Sequence, residues 1–296
     1  MKRFLAAAAL VGLAYPATAS AQAPNGSSRE QLVVTTAWLV QHLHDPDVVV
    51  LQVDDRDAYD AGHIPGARYA DDHDVAVMNA PNGLSHEMPP TQVLHDNLAA
   101  LGISYSSHVI VYGVWTASTR MVLTLDYAGL THVSWLDGGL DGWTRAGQPL
   151  SKEAPMKRTG TLAPLKVRPI IADAAFVQGH LHAPGFAIVD GRKTTFYDGS
   201  SKGGANGHQK AGHIPGAGSV PFDMLLTSDM TLKSPDELAA MFAKAGVKPG
   251  DTVIGYCHIG IQATAALFAA RTLGHPVMLY DGSFEDWSLR NLPVEK

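Results

Sequence analysis

Cysteine is almost absent from the 296-residue chain: Cys257 stands alone. A single thiol excludes an intramolecular disulfide and any zinc or iron–sulfur site built from several cysteines. A basic excess is absent too. The 22 Lys and Arg are outnumbered by 28 Asp and Glu, for a formal charge of −6. No basic face is therefore expected to attract nucleic-acid phosphates. Long apolar runs are missing, so no segment after the first 21 residues reads as a membrane span. What is present is 46% apolar residues and 29 glycines, more glycine than the ~7% average, so tight loops should matter. The length suits two domains.

The first residues read as a leader. Lys2 and Arg3 precede an apolar run from Phe4 to Tyr15, then Pro16 and small residues. Ala17-Thr18-Ala19 and Ala19-Ser20-Ala21 both fit the small-x-small cleavage rule, which predicts a secretory signal peptide over residues 1–21. The run is too short for a bilayer, which needs about 20 residues. No cysteine lies nearby to carry a lipid. The form suits bacterial export and predicts a periplasmic protein, free of the membrane once cleaved. In that oxidising compartment an unpaired thiol is either buried and inert or kept for its chemistry.

The chain repeats itself. Gly62-His63-Ile64-Pro65-Gly66-Ala67 recurs as Gly212-His213-Ile214-Pro215-Gly216-Ala217. Val48–Asp54 with Arg56 answers to Ala187–Asp190 with Arg192. Val109–Gly113 answers to Val253–Cys257, and Leu136-Asp137-Gly138-Gly139 with Trp143 answers to Tyr280-Asp281-Gly282-Ser283 with Trp287. Four blocks in one order mean a tandem duplication. The second copy gains 14 residues before its box and loses six after it. The expected limits are a first domain over residues 28–145, a linker over 146–164 and a second domain over 165–296. Short apolar strands alternate with helical patterns, so each copy should be an α/β domain with a mainly parallel sheet flanked by helices. Ser234-Pro235-Asp236-Glu237 starts one helix well, with Ser at the N-cap, Pro at N1 and Glu at N3. A strand is expected from Asp251 to Tyr256 and a helix from Ala263 to Leu273.

The copies diverge after the Tyr256 strand. The second has Cys257-His258-Ile259-Gly260-Ile261-Gln262-Ala263-Thr264, where the first has Gly113-Val114-Trp115-Thr116-Ala117-Ser118-Thr119-Arg120. A strand–loop–helix turn can point successive N–H groups inward, and the helix N-terminus adds positive potential. Both would favour a thiolate at Cys257. The competing reading is a small buried hydrophobe, which a free cysteine often is.

Two GHIPGA boxes, a strand–Cys–loop–helix in the second copy only and a closing YDGS with Trp287 resemble the two-domain rhodanese family of thiosulfate and 3-mercaptopyruvate sulfurtransferases. The resemblance runs from about Gln31 to the C-terminus. It implies a non-catalytic first domain and a catalytic second one. Cys257 would take the outer sulfur of a donor as a persulfide and pass it to a nucleophile. With thiosulfate and cyanide, the products would be sulfite and thiocyanate. Cysteine phosphatases use a similar loop but need an arginine six residues after the Cys; that position is Ala263.

The site expected from this has Cys257 as catalytic residue. His258, Ile259, Gly260, Ile261, Gln262, Arg192 and Lys210 are its substrate-binding candidates. His258, partly protonated, could help hold an anionic donor or could simply face solvent. Arg192 with Asp190 could act near the loop or form a structural ion pair. Lys193, Lys202, His208 and Lys210 lie in the insertion and could bind the donor or remain solvated. His63 and His213 occur in both copies and read as turn structure. His258 and Ile259 match neither the basic residues common after the Cys in thiosulfate-type members nor the small ones of mercaptopyruvate-type members. No cofactor or metal is expected, and the partners are a small sulfur donor and a thiophilic acceptor. Duplication already supplies a pseudo-dimer, so a monomer is expected. A sulfur carrier that stores persulfide without turnover remains an alternative.

Overall fold

A computed structural model describes residues 28–204 and 207–296; the expected leader lies outside them. The first copy contributes α1 (Ser28–Leu32), β1 (Val33–Val34), α2 (Thr36–His42), β2 (Val48–Val53), α3 (Arg56–Ala61) and β3 (Arg68–Ala70). It continues through α4 (Asp72–Val75), the short antiparallel pair β4 (Val77–Met78) and β5 (His86–Glu87), and α5 (Thr91–Ala100). It closes with β6 (His108–Gly113), α6 (Trp115–Tyr127), β7 (Val133–Leu136) and α7 (Gly139–Arg145). The second copy runs β8 (Ile171–Ala172), α8 (Ala174–Gly179), β9 (Phe186–Asp190), α9 (Thr194–Tyr197) and β10 (Gly218–Ser219). Then come α10 (Pro235–Lys244), β11 (Thr252–Tyr256), α11 (Ala263–Thr272), β12 (Val277–Tyr280) and α12 (Ser283–Leu289).

Each copy folds into a five-stranded, all-parallel sheet flanked by helices. The orders are β1-β7-β6-β2-β3 and β8-β12-β11-β9-β10, the same topology twice. The local rules hold: Ser234 and Glu237 form the full capping box of α10. Asp251 falls one residue short of β11 because it closes a turn instead, with its carboxylate accepting from Lys248 N at 2.9 Å. The repeated histidines are turn elements. His63 stacks on Tyr59 and bonds its carbonyl, and His213 does the same with Tyr197.

Each sheet keeps a core of its own on one face and shares a core with the other sheet on the opposite face. One apolar cluster joins Val109, Val111 and Met121 of the first copy to Val253, Ala266 and Phe268 of the second. Trp115 and Trp135 both meet the Phe268 ring edge-on. This places α6 against α11, the two helices that follow the Gly113 and Cys257 strands. Residues 152–170 contain no regular element and run along the first domain, where Gly160 N donates to Ala99 O at 2.8 Å and Arg158 Nη1 to Pro46 O at 2.8 Å.

Candidate active site

Cys257 follows the last residue of β11, in the middle of the second sheet, and is fully buried. Burial alone would suit an inert core thiol. The backbone around it, however, differs from that of the first copy. Residues 257–262 stay outside the helix, and α11 begins only at Ala263. In the first copy α6 begins at Trp115, right after the strand, so the residues matching Ile259–Gln262 are helical there. Among the described residues, no N–H from His258 to Ala263 finds a protein acceptor. The unwound first turn leaves a run of unpartnered donors in the loop that follows the sulfur, and donors converging on one point stabilise an anion.

Both edges of the loop are held. Cys257 N donates to Ser283 Oγ at 3.1 Å, and Phe284 N to Cys257 O at 2.9 Å. Gly260 has φ +85°, and a Cβ there would lie 2.6 Å from Asp281 O. Only glycine fits that close approach with that backbone. Gly191 abuts Ala263 in the same way, with a Cβ position 2.9 Å from its Cα.

Arg192 is fully buried and forks onto Asp190, with Nε 3.0 Å from Oδ1 and Nη2 2.5 Å from Oδ2, and it also donates to Gly212 O. Its guanidinium lies 4.0 Å from the Phe284 ring centre. Burial works against its charge, but the Asp190 charge and hydrogen bond outweigh that and raise its pKa. Nη1 alone is buried without a partner. The guanidinium is thus tied into an ion pair, and one of its nitrogens keeps no partner.

His258 does not carry the charge expected of it. Burial first, then the Arg192 charge, lowers its pKa from 6.5 to about 4, so the ring is neutral at pH 7. It is half-buried, not solvent-facing. Nδ1 is 2.7 Å from Gln209 Oε1, so that nitrogen carries the proton, and Gln209 Nε2 returns a bond to His258 O. Phe196 meets the ring edge-on, and a Cβ on Gly203 would strike it at 2.2 Å. The insertion of the second copy therefore walls the loop on the His258 side. Lys210 faces elsewhere: its ammonium donates to Leu292 O at 2.6 Å, tying the insertion to the C-terminal segment. Ile259, Ile261 and Gln262 are half-buried around the loop, and Gln262 Oε1 is buried without a partner.

Sequence reading missed the contribution of the first domain. Arg120 of α6 crosses the interface and donates through Nη1 to Gly260 O at 3.1 Å and Asp281 Oδ1 at 2.6 Å. Met88 N donates to the other Asp281 oxygen at 2.6 Å, and Ser85 N and Oγ both donate to Glu285. His86, on β5, is buried with both ring nitrogens unpartnered, and burial with the Arg120 charge lowers its pKa to about 3. A signal for some of these was present. Ser283 and Arg120 stand where the other copy has Gly139 and Thr264. The rule that led to Cys257, to look where the copies differ, applies to them equally.

The first copy cannot host the same chemistry. Gly113 has φ +122°, and a Cβ there would sit 2.2 Å from Val53 O. Met230 of the second copy joins Val114, Trp115 and Gly138 around the small cleft left at that strand end.

The fold and the loop define a class of protein: a twice-repeated parallel α/β domain whose one cysteine stands in the strand–helix loop of the second copy. The rhodanese-like domain model matches residues 35–146 and 173–290, and the chain belongs to the rhodanese family of sulfurtransferases. It is 32% identical over 288 residues to the sulfur carrier protein TtuD of Thermus thermophilus, covering 92% of this chain and 99% of the relative. It is 31% identical over 272 residues to the 3-mercaptopyruvate sulfurtransferase of Escherichia coli K12, covering 87% and 95%. Against the thiosulfate sulfurtransferase of Azotobacter vinelandii it is 29% identical over 271 residues, covering 89% and 97%. The crystal structure of SseA from Escherichia coli, a 3-mercaptopyruvate sulfotransferase, superposes with a TM-score of 0.75 at 29% identity. That match covers 86% of this chain and 98% of SseA.

Proposed function

We propose that the protein is a thiosulfate sulfurtransferase that works through a persulfide on Cys257. The Cys257 thiolate attacks the outer sulfur of thiosulfate. The Sγ–S bond forms, the S–S bond of the donor breaks, and sulfite leaves with the electron pair. Cyanide or a thiolate then attacks the outer sulfur of the persulfide, and the bond to Cys257 breaks to restore the thiolate. No other oxidant or reductant is needed.

The observation that carries this reading is the run of unpartnered N–H groups from His258 to Ala263 around a buried sulfur. They would hold the negative charge of both thiolate and persulfide while burial keeps water away. The unpartnered Arg192 Nη1 adds a hydrogen-bond donor near the same loop. His258 and Gln262 would border the donor as neutral groups. Ile259 and Ile261 would line the donor's way in, and Lys210 would brace the insertion.

Two other readings have support. A mercaptopyruvate donor is favoured by the relatives that use it, and a stored persulfide by the named sulfur carrier. Sulfite release from thiosulfate, pyruvate release from 3-mercaptopyruvate and the mass of the sulfur-loaded protein separate the three. Sulfite release that Cys257→Ala abolishes is the expected result. Faster turnover with 3-mercaptopyruvate would replace the donor, and a stable persulfide without turnover would replace the enzyme with a carrier. We further propose export to the periplasm as a monomer after loss of residues 1–21. Among the described residues no helix is long and apolar enough to cross a membrane. Cell fractionation, the mature N-terminus and light scattering test that part.

A further inference from the structure

The domains meet between α6 and α11, where Thr119 Oγ1 and Thr264 Oγ1 lie 2.9 Å apart. Here matching residues are 144 positions apart, so each contact can be compared with its reciprocal. Met88 N donates to Asp281 Oδ2 at 2.6 Å, and its match Leu232 N donates to Asp137 Oδ1 at 2.8 Å. Such reciprocity is what an isologous interface requires. The symmetry holds in place but not in chemistry at one further pair. Thr264 Oγ1 stands 3.4 Å from Thr116 O in the first turn of α6, and its match Arg120 Nη1 donates to Gly260 O at 3.1 Å in the loop with Cys257.

Arg120 is expensive where it sits. It is fully buried, and its Nε and Nη2 have no hydrogen-bond partner. Unpartnered buried donors destabilise a fold. The reciprocal position closes the same interface with a threonine, so docking of the domains does not demand an arginine. The charge is found only on the side that faces the cysteine.

We infer that Arg120, carried by the non-catalytic domain, is a positioning residue for the Cys257 loop; this rests on Cys257 being the nucleophile. In a trans peptide the C=O and the following N–H point opposite ways. Drawing the Gly260 carbonyl toward the first domain turns the Ile261 N–H back toward the loop's interior. The φ of +85° at Gly260 permits this orientation. Asp281 holds the guanidinium in place and is itself held by Met88 N. The first domain thereby takes part in forming the anion cradle.

The test compares Arg120→Met and Arg120→Gln with wild type by thermal melt, by kcat and KM for thiosulfate, and by the pH profile of Cys257 alkylation with iodoacetamide. The other charges near the loop, Asp190, Arg192 and Asp281, and the His258 ring are the same in all three proteins. The methionine variant should lose kcat roughly ten- to hundredfold, the worth of one charged hydrogen bond, with KM little changed. Its alkylation profile should move to higher pH. Glutamine, which can still donate to Gly260 O, should recover part of both. Folded variants with wild-type kcat and profile would overturn the inference, as would a loss of kcat with an unmoved profile. If the methionine variant does not fold, the glutamine variant decides by the same readouts. If wild type turns over no donor, the functional reading fails, and the alkylation profile still decides the role of Arg120.

Discussion

Ser283 Oγ accepts the backbone N–H of Cys257 at 3.1 Å and donates its own proton to Tyr280 O at 2.8 Å. It does so from the left-handed region, at φ +53°, where its match Gly139 has φ +52°. A serine in that conformation carries strain that glycine does not. Ser283→Ala keeps the strain and strands a buried N–H, so it should cost about 1–2 kcal/mol in urea unfolding. Ser283→Gly should cost less, because it relieves the backbone. A glycine variant weaker than the alanine one would contradict this account.

Gly260→Ala tests the loop from the other side. Its Cβ would meet Asp281 O at 2.6 Å with φ at +85°, so the loop must shift and its donors lose their aim. Displaced donors of this kind cost about a hundredfold in rate. The expected result is sulfite release reduced by about that factor in a protein whose far-UV circular dichroism matches wild type. Full activity would mean that the loop backbone is not the source of catalysis.

Acid should destabilise the protein through two neutral imidazoles, one buried and one half-buried. His86 and His258 have pKa values lowered by burial to about 3 and about 4. The unfolded chain protonates them near pH 6.5, so between that value and about pH 3 it binds more protons than the folded state. Stability therefore rises with pH across this window and is greatest above it. His86→Met, which copies Met230 of the reciprocal position, removes one titration and an unpaired imidazole. Its urea midpoint should gain more on wild type at pH 5 than at pH 8. Equal gains at both would show that His86 does not titrate as argued.

Asp281 and Asp137 form a matched pair of controls on the interface. Asp281→Ala leaves the Arg120 charge buried without its carboxylate and strands Met88 N, a loss of roughly 3–5 kcal/mol. Asp137→Ala strands only Leu232 N and should cost roughly 1–2 kcal/mol. Calorimetry of the two variants measures the difference. Equal losses would mean that the Arg120 pair contributes nothing beyond its neutral counterpart.

The sequence made the duplication, the parallel sheets and the place of Cys257 legible because each depends on residues close together in the chain. The α10 start was readable from four adjacent residues, Ser234 to Glu237. The insertion was visible as extra length, but not that Gln209 would clasp His258 from 49 positions away. Ser85 and Glu285, 200 positions apart, lay wholly outside local reading. His258 looked like a candidate cation in sequence and became a neutral ring once buried, and placed beside Arg192.

Where the one thiol stands was written in the chain: at a loop whose twin has glycine. Local backbone preference and the repeat are enough to specify that. Whether the thiol sits in a cradle or in a plain core was decided by tertiary structure. The first turn stays unwound in one copy and becomes helix in the other, and an arginine arrives from across the interface. Those outcomes depend on burial and on contacts between distant segments, and no window of sequence contains both partners.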